Sequence, residues 1–450
     1  MIRQHKARLA FGLSLVLVSS SVAAQTFEET LVSTYSVNAT LEAAKQELRA
    51  INETAPQALA GYRPSLSTFV RAGSAYEFTA DDGDEAGNVT AAAGVTLSQP
   101  LYRGGRTSAG VDSAENQILS QREIYRATEQ DVLLLAANAH LDVLRDQEIA
   151  ELTANSETII AEQLSAFRRQ FQASAATKTD VAQGEARLAR AQASLARAQA
   201  QLAASRATFV ETAGMAPEKL LAPDTGRFAM PPNRDEMLAR ALDRNPRIGA
   251  AHYAEIASRF DVDVARGWSW PEVDLVGSLQ YFSESADGDA VNLDDEFAIG
   301  RLEVRVTVPL YEGTYGSRSR QSSRVADQRR AQLLAARRQV EREAAGAWES
   351  WTSAQAQVEY LSTAVASARA AVDGLRKEHR LGERTALDLL NGEQEFLDAA
   401  IDLTEAKRDL SSARFGVLAA LGAFTVDQLE LDTQAYDAEA DFQDVRDRWF

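Results

Sequence analysis

The stretch Arg301-Leu302-Glu303-Val304-Arg305-Val306-Thr307-Val308-Pro309-Leu310-Tyr311 alternates between two chemistries. Leu302, Val304, Val306, Val308 and Leu310 fall on one side, and Arg301, Glu303, Arg305 and Thr307 on the other. A period of two belongs to a strand, because successive side chains of an extended chain point to opposite faces. One face is wholly aliphatic and the other charged. In a soluble sandwich the aliphatic face would meet a second sheet. In an outer-membrane barrel it meets lipid, and the charged face lines water.

Upstream, Val273, Leu275, Leu279 and Tyr281 alternate with Glu272, Asp274, Ser278 and Gln280, and an acidic loop from Ser283 to about Glu296 joins the two runs. The same hairpin occurs earlier in the chain. Leu66, Thr68, Val70, Ala72, Tyr76 and Phe78 share a face, the turn is Asp81-Asp82-Gly83-Asp84-Glu85-Ala86-Gly87, and Val89, Ala91, Ala93, Val95 and Leu97 follow. The predicted strands span about 64–79, 88–101, 271–283 and 297–310. Runs of roughly ten residues or more suit a tilted membrane strand. Tyr76, Phe78, Tyr102, Tyr281, Phe297 and Tyr311 lie near strand ends, where an aromatic girdle is expected.

The hairpins belong to a duplication at an offset of 207–209 residues. Asn38 returns as Asn245, Pro64 as Pro271, Pro100-Leu101-Tyr102 as Pro309-Leu310-Tyr311, Asp180 as Asp388 and Gly214 as Gly422. The first repeat covers 25–216 and the second 235–424, with a proline-rich link at 217–234 and an acidic, aromatic tail at 425–450. The tail either lies along the helices or is disordered. Residues 26–60 read as a helix ended by Pro56 and Pro64. Long proline-free helices are predicted over about 106–173 and 316–381, with returning helices over 178–213 and 385–421. At 1.5 Å per residue the long ones reach on the order of 100 Å. Val340, Ala344, Ala347, Trp351, Ala354, Val358, Leu361, Val365, Ala368, Val372 and Leu375 form a heptad stripe, the mark of a helix–helix seam. Val181, Leu188, Leu195, Leu202 and Phe209 match Leu389, Phe396, Leu403, Leu410 and Val417.

Residues 1–24 read as a signal peptide: Arg3, Lys6 and Arg8, a short apolar run from Leu9 to Val18, and Val22-Ala23-Ala24 before Gln25. An exported chain without another apolar run of helix-spanning length crosses a membrane as strands or not at all. The formal charge is -18, and loss of the leader lowers it by three. Such a chain repels nucleic acid and favours cations in an acidic interior. Cysteine is absent, which excludes disulfides and thiolate chemistry. The histidines at 5, 140, 252 and 379 have no metal-ligand spacing, and no phosphate loop or nucleophile motif occurs. No enzyme, cofactor or metal site is expected. The Asp81–Glu85 and Asp287–Glu296 loops lack a complete calcium-ligand pattern and read as solvated turns.

Four strands per chain cannot close a barrel, and open edges cannot lie in lipid. Two chains supply eight strands, whose interior fills with side chains; three or four supply twelve or sixteen and leave a lumen. The hairpins therefore predict a homo-oligomeric barrel continued by a helical cylinder.

The chain resembles the TolC family of outer-membrane efflux and secretion channels across essentially its whole mature length. The resemblance rests on the duplicated order, on Thr96-Leu97-Ser98-Gln99-Pro100-Leu101-Tyr102 and Thr307-Val308-Pro309-Leu310-Tyr311, and on Arg380-Leu381-Gly382-Glu383-Arg384-Thr385 leading into Leu387-Asp388-Leu389-Leu390. It suits the type I secretion and multidrug branches alike. It implies a homotrimer with a twelve-stranded barrel in outer-membrane lipid, an α-helical periplasmic tunnel, and docking to a periplasmic adaptor and an inner-membrane ABC or RND pump. It also implies functional residues at the helix-turn-helix tips. Asp388, with Asp180 matching it, takes the place of a pore-facing entrance carboxylate, expected to be partly protonated or ion-bound where three copies converge. The family's second entrance aspartate is replaced by Asn391, which weakens the ring. Arg384 matches the tip arginine that ties closed coils together, and His379 stands where the family often has tyrosine. Lys178, Arg380, Leu381 and Gly382, with Arg168, Arg169, Arg376 and Lys377 nearby, are the expected docking surface. Two other readings of the same pattern are a periplasmic coiled-coil adaptor or scaffold with soluble hairpins, and a stand-alone porin with a helical stem.

Overall fold

A computed structural model describes residues 24–78, 85–174, 176–285 and 295–449, with side chains except at 75–89 and 284–296. The expected leader, the centres of both hairpin turns and the side chains of Tyr76 and Phe78 lie outside the described residues.

The chain opens with helices α1 (Phe27–Val37), α2 (Ala39–Asn52) and α3 (Thr54–Leu59), which lead into β1 (Ser65–Phe78) and β2 (Glu85–Arg103). Helices α4 (Arg106–Gln172) and α5 (Lys178–Ala213) complete the first repeat. The second contains α6 (Arg234–Arg244), α7 (Pro246–Gly267), β3 (Glu272–Ser285), β4 (Asp295–Thr307), α8 (Tyr315–Arg380) and α9 (Ala386–Ala420). A last helix, α10 (Ala438–Arg446), follows the second repeat. Among the described residues no helix is long and apolar enough to cross a membrane.

Residues 26–60, read from sequence as one helix, are three. Asn38 has an extended backbone, and its side chain accepts from the Thr40 and Leu41 N–H groups (3.0 and 3.3 Å), so it ends α1 and caps α2. Asn245 separates α6 from α7 in the same way, accepting from Arg247 N–H at 3.0 Å. A short side-chain acceptor satisfies the free N–H groups of the next helix, which makes asparagine a natural breaking point. Pro56 does not end a helix. It lies in the first turn of α3, where its missing N–H costs nothing.

The four strands form one antiparallel sheet in the order β1-β2-β3-β4. Each hairpin pairs within itself, and β2 pairs with β3 across the two repeats. The register places Leu66 opposite Leu97, Val95 opposite Leu279, Leu275 opposite Val304 and Val273 opposite Val306. The aliphatic stripes of all four strands therefore coincide on one face. That face is bare: Val70 is 85% exposed, Leu302 77% and Leu279 62%. The ladder stops at Thr307 because β3, its partner, begins at Glu272; Val308 and Leu310 continue the alternation beyond it. On the other face Arg305 pairs with Glu303 (2.5 Å), and Phe282 stacks on Phe297 with centroids 5.3 Å apart.

Below the sheet, α4 and α8 run 67 and 66 residues, roughly 100 Å each, and α5 and α9 fold back along them. The heptad stripe of α8 supplies its buried residues Val340, Ala344, Ala354 and Val372. Midway down, Phe27 and Leu31 of α1 meet Leu133 and Leu141 of α4, Phe415 of α9, Phe424 just after α9, and Val426 and Leu431 of the tail. Phe27 stacks on Phe415 with centroids 4.9 Å apart. The tail thus takes the first of its two expected forms. It continues up α4: Arg122 pairs with Glu439, Asp441 bridges Arg49 and Asn52 (both 3.1 Å), Phe442 packs on Ala55 and Ile118, and Arg446 reaches Glu115 at 2.9 Å.

Candidate channel entrance

The end of the helices far from the sheet is built twice from the same parts. Thr177 opens α5 and Thr385 opens α9, each with extended backbone, and the residue three positions on is Asp180 or Asp388. Asp180 Oδ2 accepts from Thr177 N–H and its hydroxyl, both at 2.8 Å, and Asp180 N–H returns a bond to Thr177 Oγ1. Asp388 Oδ2 accepts from Thr385 N–H (3.1 Å) and its hydroxyl (2.8 Å) in the same way. This reciprocal arrangement satisfies two orphan donors of the helix start.

The bonds also set the charge. The Thr177 backbone N–H and hydroxyl hold the Asp180 carboxyl below the usual carboxylate range. The Thr385 hydroxyl and N–H do the same for Asp388, with Arg384 adding a smaller push. Within one subunit both are ionised. The partial protonation expected of converging copies has to overcome these bonds.

The remaining tip residues are held mostly inside their own hairpin. Arg384 Nε donates to Glu378 Oε2 at 3.0 Å. His379 Nδ1 donates to the Arg384 carbonyl at 3.0 Å and meets the Phe167 ring edge-on. Arg380 Nε donates to the Arg376 carbonyl (3.3 Å). Leu381, at the apex, is 75% exposed. Gly382 follows with φ +81°, a left-handed conformation that a side chain resists. Lys178 is exposed at the start of α5.

Two side-chain ties and a pair of close-approach glycines complete the tip. Arg187 of α5 donates to Asn391 Oδ1 at 2.6 Å and so ties the two repeats. Arg376 pairs at 2.7 Å with Glu393, which is buried against α8. Gly184 and Gly392 let the returning helices approach closely: a Cβ on Gly392 would lie 2.6 Å from Leu375 Cδ1, and one on Gly184 3.0 Å from Leu164 Cδ1. These glycines stand 208 residues apart, the repeat offset, which was a signal available beforehand. Up the exposed side of α9 from Asp388 run Glu395, Asp398, Asp402, Glu405 and Asp409. Asn391, Glu395, Asp398 and Asp402 line a groove of about 510 Å³ with Arg187.

Compared with known proteins, residues 32–215 and 237–423 match the outer membrane efflux protein family, one segment for each repeat. The chain belongs to that family. Outer membrane efflux protein BepC of Brucella suis is 31% identical over 97% of this chain and 93% of its own length. Outer membrane protein TolC of Vibrio cholerae is 24% identical over 79% of this chain and 82% of its own. The fold matches the Campylobacter jejuni CmeC outer membrane channel with a TM-score of 0.77, at 14% identity, over 99% of this chain and 98% of that one. As a member of the outer membrane efflux protein family, the chain is an outer-membrane exit duct, with its sheet in the membrane and its long helices in the periplasm.

Proposed function

We propose that three copies close a twelve-stranded barrel around a water-filled lumen, and that the helical tips form a gated periplasmic entrance which docks to an adaptor and an inner-membrane pump. The observation that carries this is the sheet. Its aliphatic stripes coincide on one exposed face, and β1 and β4 leave two open edges. A broad bare aliphatic face is unfavourable in water, and in lipid, where no water satisfies it, an open edge must pair.

At the entrance, Asp388 and Asp180 contribute one ring of carboxylates each, and the α9 carboxylates from Glu395 to Asp409 continue the negative lining upward. Such rings draw cations toward the pore and repel anions. Asn391 supplies no charge, and its bond to Arg187 ties the coils instead. Arg384 and His379 stiffen the α8–α9 turn. Lys178, Arg380, Leu381 and Gly382 form an exposed, basic and partly apolar apex, suited to a partner's helical hairpin. The cargo is protein or small molecule, pushed by the pump rather than bound by the duct. The decisive experiment is detergent extraction of membranes followed by size measurement and particle imaging. A trimer with a long stem is expected. A mature chain that stays monomeric in buffer without detergent ends the proposal and favours a soluble scaffold.

A further inference from the structure

The tail climbs α4 toward the sheet. Val426 meets Glu129, Glu439 meets Arg122, Phe442 meets Ile118, and Arg446 meets Glu115. As residue numbers rise in the tail they fall on α4, which begins at Arg106 just after β2 ends. The highest contact is with the lead-in of β1. Arg63, two residues before that strand, donates from Nη1 to the Arg448 carbonyl at 2.6 Å. Its guanidinium lies over the Trp449 ring, 4.9 Å from the centroid. Trp449 is nonetheless 61% exposed.

The second repeat carries a tryptophan at this level in its own strand lead-in. Trp270, 58% exposed, precedes Pro271, whereas Arg63 precedes Pro64. The two prolines are repeat partners, so the tail brings to β1 what β3 already has. Trp268 stands at the same rim with the Arg106 guanidinium 3.9 Å from its ring centre. Three of the five tryptophans therefore lie at the foot of the sheet. Tyr62 and Tyr102, both exposed, line a recess of about 150 Å³ beside them, at the start of β1 and the end of β2. Such side chains bury an apolar ring and keep a polar N–H or O–H wet, which is why they collect where a membrane meets water.

We infer that Trp449 seats the tail in the headgroup layer of the phospholipid leaflet facing the periplasm, so that the tail ties the helical wall to the membrane beside β1. The contact continues the aliphatic face of the sheet, which begins on β1 at the exposed Leu66, three residues from Arg63. It rests on the sheet lying in the membrane and, for its direction, on the duct proposed above. In that duct the tail runs on the outer side of the wall, since three copies of it inside would fill the passage. Arg448 is exposed beside Trp449, but so are Asp444 and Asp447. These charges nearly cancel, so the ring rather than charge carries the contact, and zwitterionic lipid suffices.

The chain has no cysteine, so a single introduced one can carry a bimane label. Trp449→Cys, Leu66→Cys and Gln434→Cys are labelled separately and placed, as full chains, in phosphatidylcholine nanodiscs with and without a nitroxide on the lipid headgroup. Leu66 marks the lipid face. Gln434 marks the tail lower down, near Tyr436, which packs on Tyr125 roughly 30 Å along α4 from the sheet. The label at position 449 is expected to be quenched about as strongly as the one at 66 and several times more than the one at 434. Where the cysteine variant fails to fold, Trp449→Phe decides: the fraction of intrinsic fluorescence quenched by brominated phosphatidylcholine is expected to fall relative to the native chain. Quenching at 66 but not at 449, or an unchanged fraction in Trp449→Phe, overturns the lipid contact and leaves the duct standing, with Trp449 covered by protein. Quenching at neither 66 nor 449 overturns the lipid contact together with the membrane place of the sheet.

Discussion

Asp388 is bound twice by the threonine that opens its helix, so its charge is secured by its neighbour three residues back. A carboxylate whose folded value is depressed keeps its charge above that value and loses it only as pH falls through it. Cation selectivity in single-channel recordings is therefore expected to hold from pH 8 down to about 5, and to fall only below about 4, the ordinary aspartate range. Asp388→Ala is expected to lower the cation-to-anion permeability ratio about two- to five-fold, the scale of exposed charges acting through water. An unchanged ratio removes Asp388 from the pore. The carboxylate pair was legible from the repeat offset and the resemblance. Its threonine partners were not singled out, although Thr-x-x-Asp stands in both copies. The Arg187–Asn391 tie was not legible, because it joins residues 204 positions apart that only the packing of α5 and α9 brings together.

Among the elements, the returning helices depend on close approach. Gly392 faces Leu375 across the α8–α9 seam with no room for a further carbon. Gly392→Val is expected to push the helices apart, at a cost of about 1–3 kcal/mol, with a lower thermal midpoint and a larger mean conductance. Gly416, inside α9 with open space around it, is the control: Gly416→Ala is expected to leave the conductance unchanged and to raise the midpoint slightly, since alanine favours a helix interior.

The tail depends on Glu129 of α4, whose Oε1 accepts from Val426 N–H at 2.8 Å. Burial, with a smaller push from Asp427, raises this carboxyl to about 7 against the opposing Val426 N–H and Arg126. The folded state thus holds the proton more tightly than the unfolded chain. The stabilising contribution is complete below the unfolded value, about 4.5, and is lost as pH rises through about 7. Glu129→Gln keeps the shape and an acceptor without the charge. Its unfolding free energy is expected to match the native chain near pH 4.5 and to exceed it at pH 8 by about 3 kcal/mol. A native chain equally stable at both pH values would contradict this.

At the scale of the whole molecule, the exposed aliphatic face ties the fold to lipid. Val304 lies in its middle, 61% exposed, with Leu275 opposite. Val304→Arg is expected to cost about 2–4 kcal/mol near the bilayer midplane and to reduce the chain recovered in outer membranes. Glu303→Arg, one residue away on the polar face, is expected to insert normally. Equal recovery of the two variants would mean that this face does not meet lipid.

Local pattern sufficed for the strands and long helices of this chain, since a period of two or of seven is a property of neighbours along the sequence. Asn38 shows where pattern failed: the apolar spacing runs on past it, yet its side chain caps the next helix and breaks the run. The duplication and the amphipathic strands were likewise enough to lead to the proposal of a shared barrel, because four strands cannot satisfy their own edges in lipid. The pairing of β2 with β3, the course of the tail along α4, the burial of Glu129 and the Arg187–Asn391 tie were decided by tertiary structure alone. Each depends on which distant surfaces meet, and burial, desolvation and side-chain reach exist only once those surfaces are in contact.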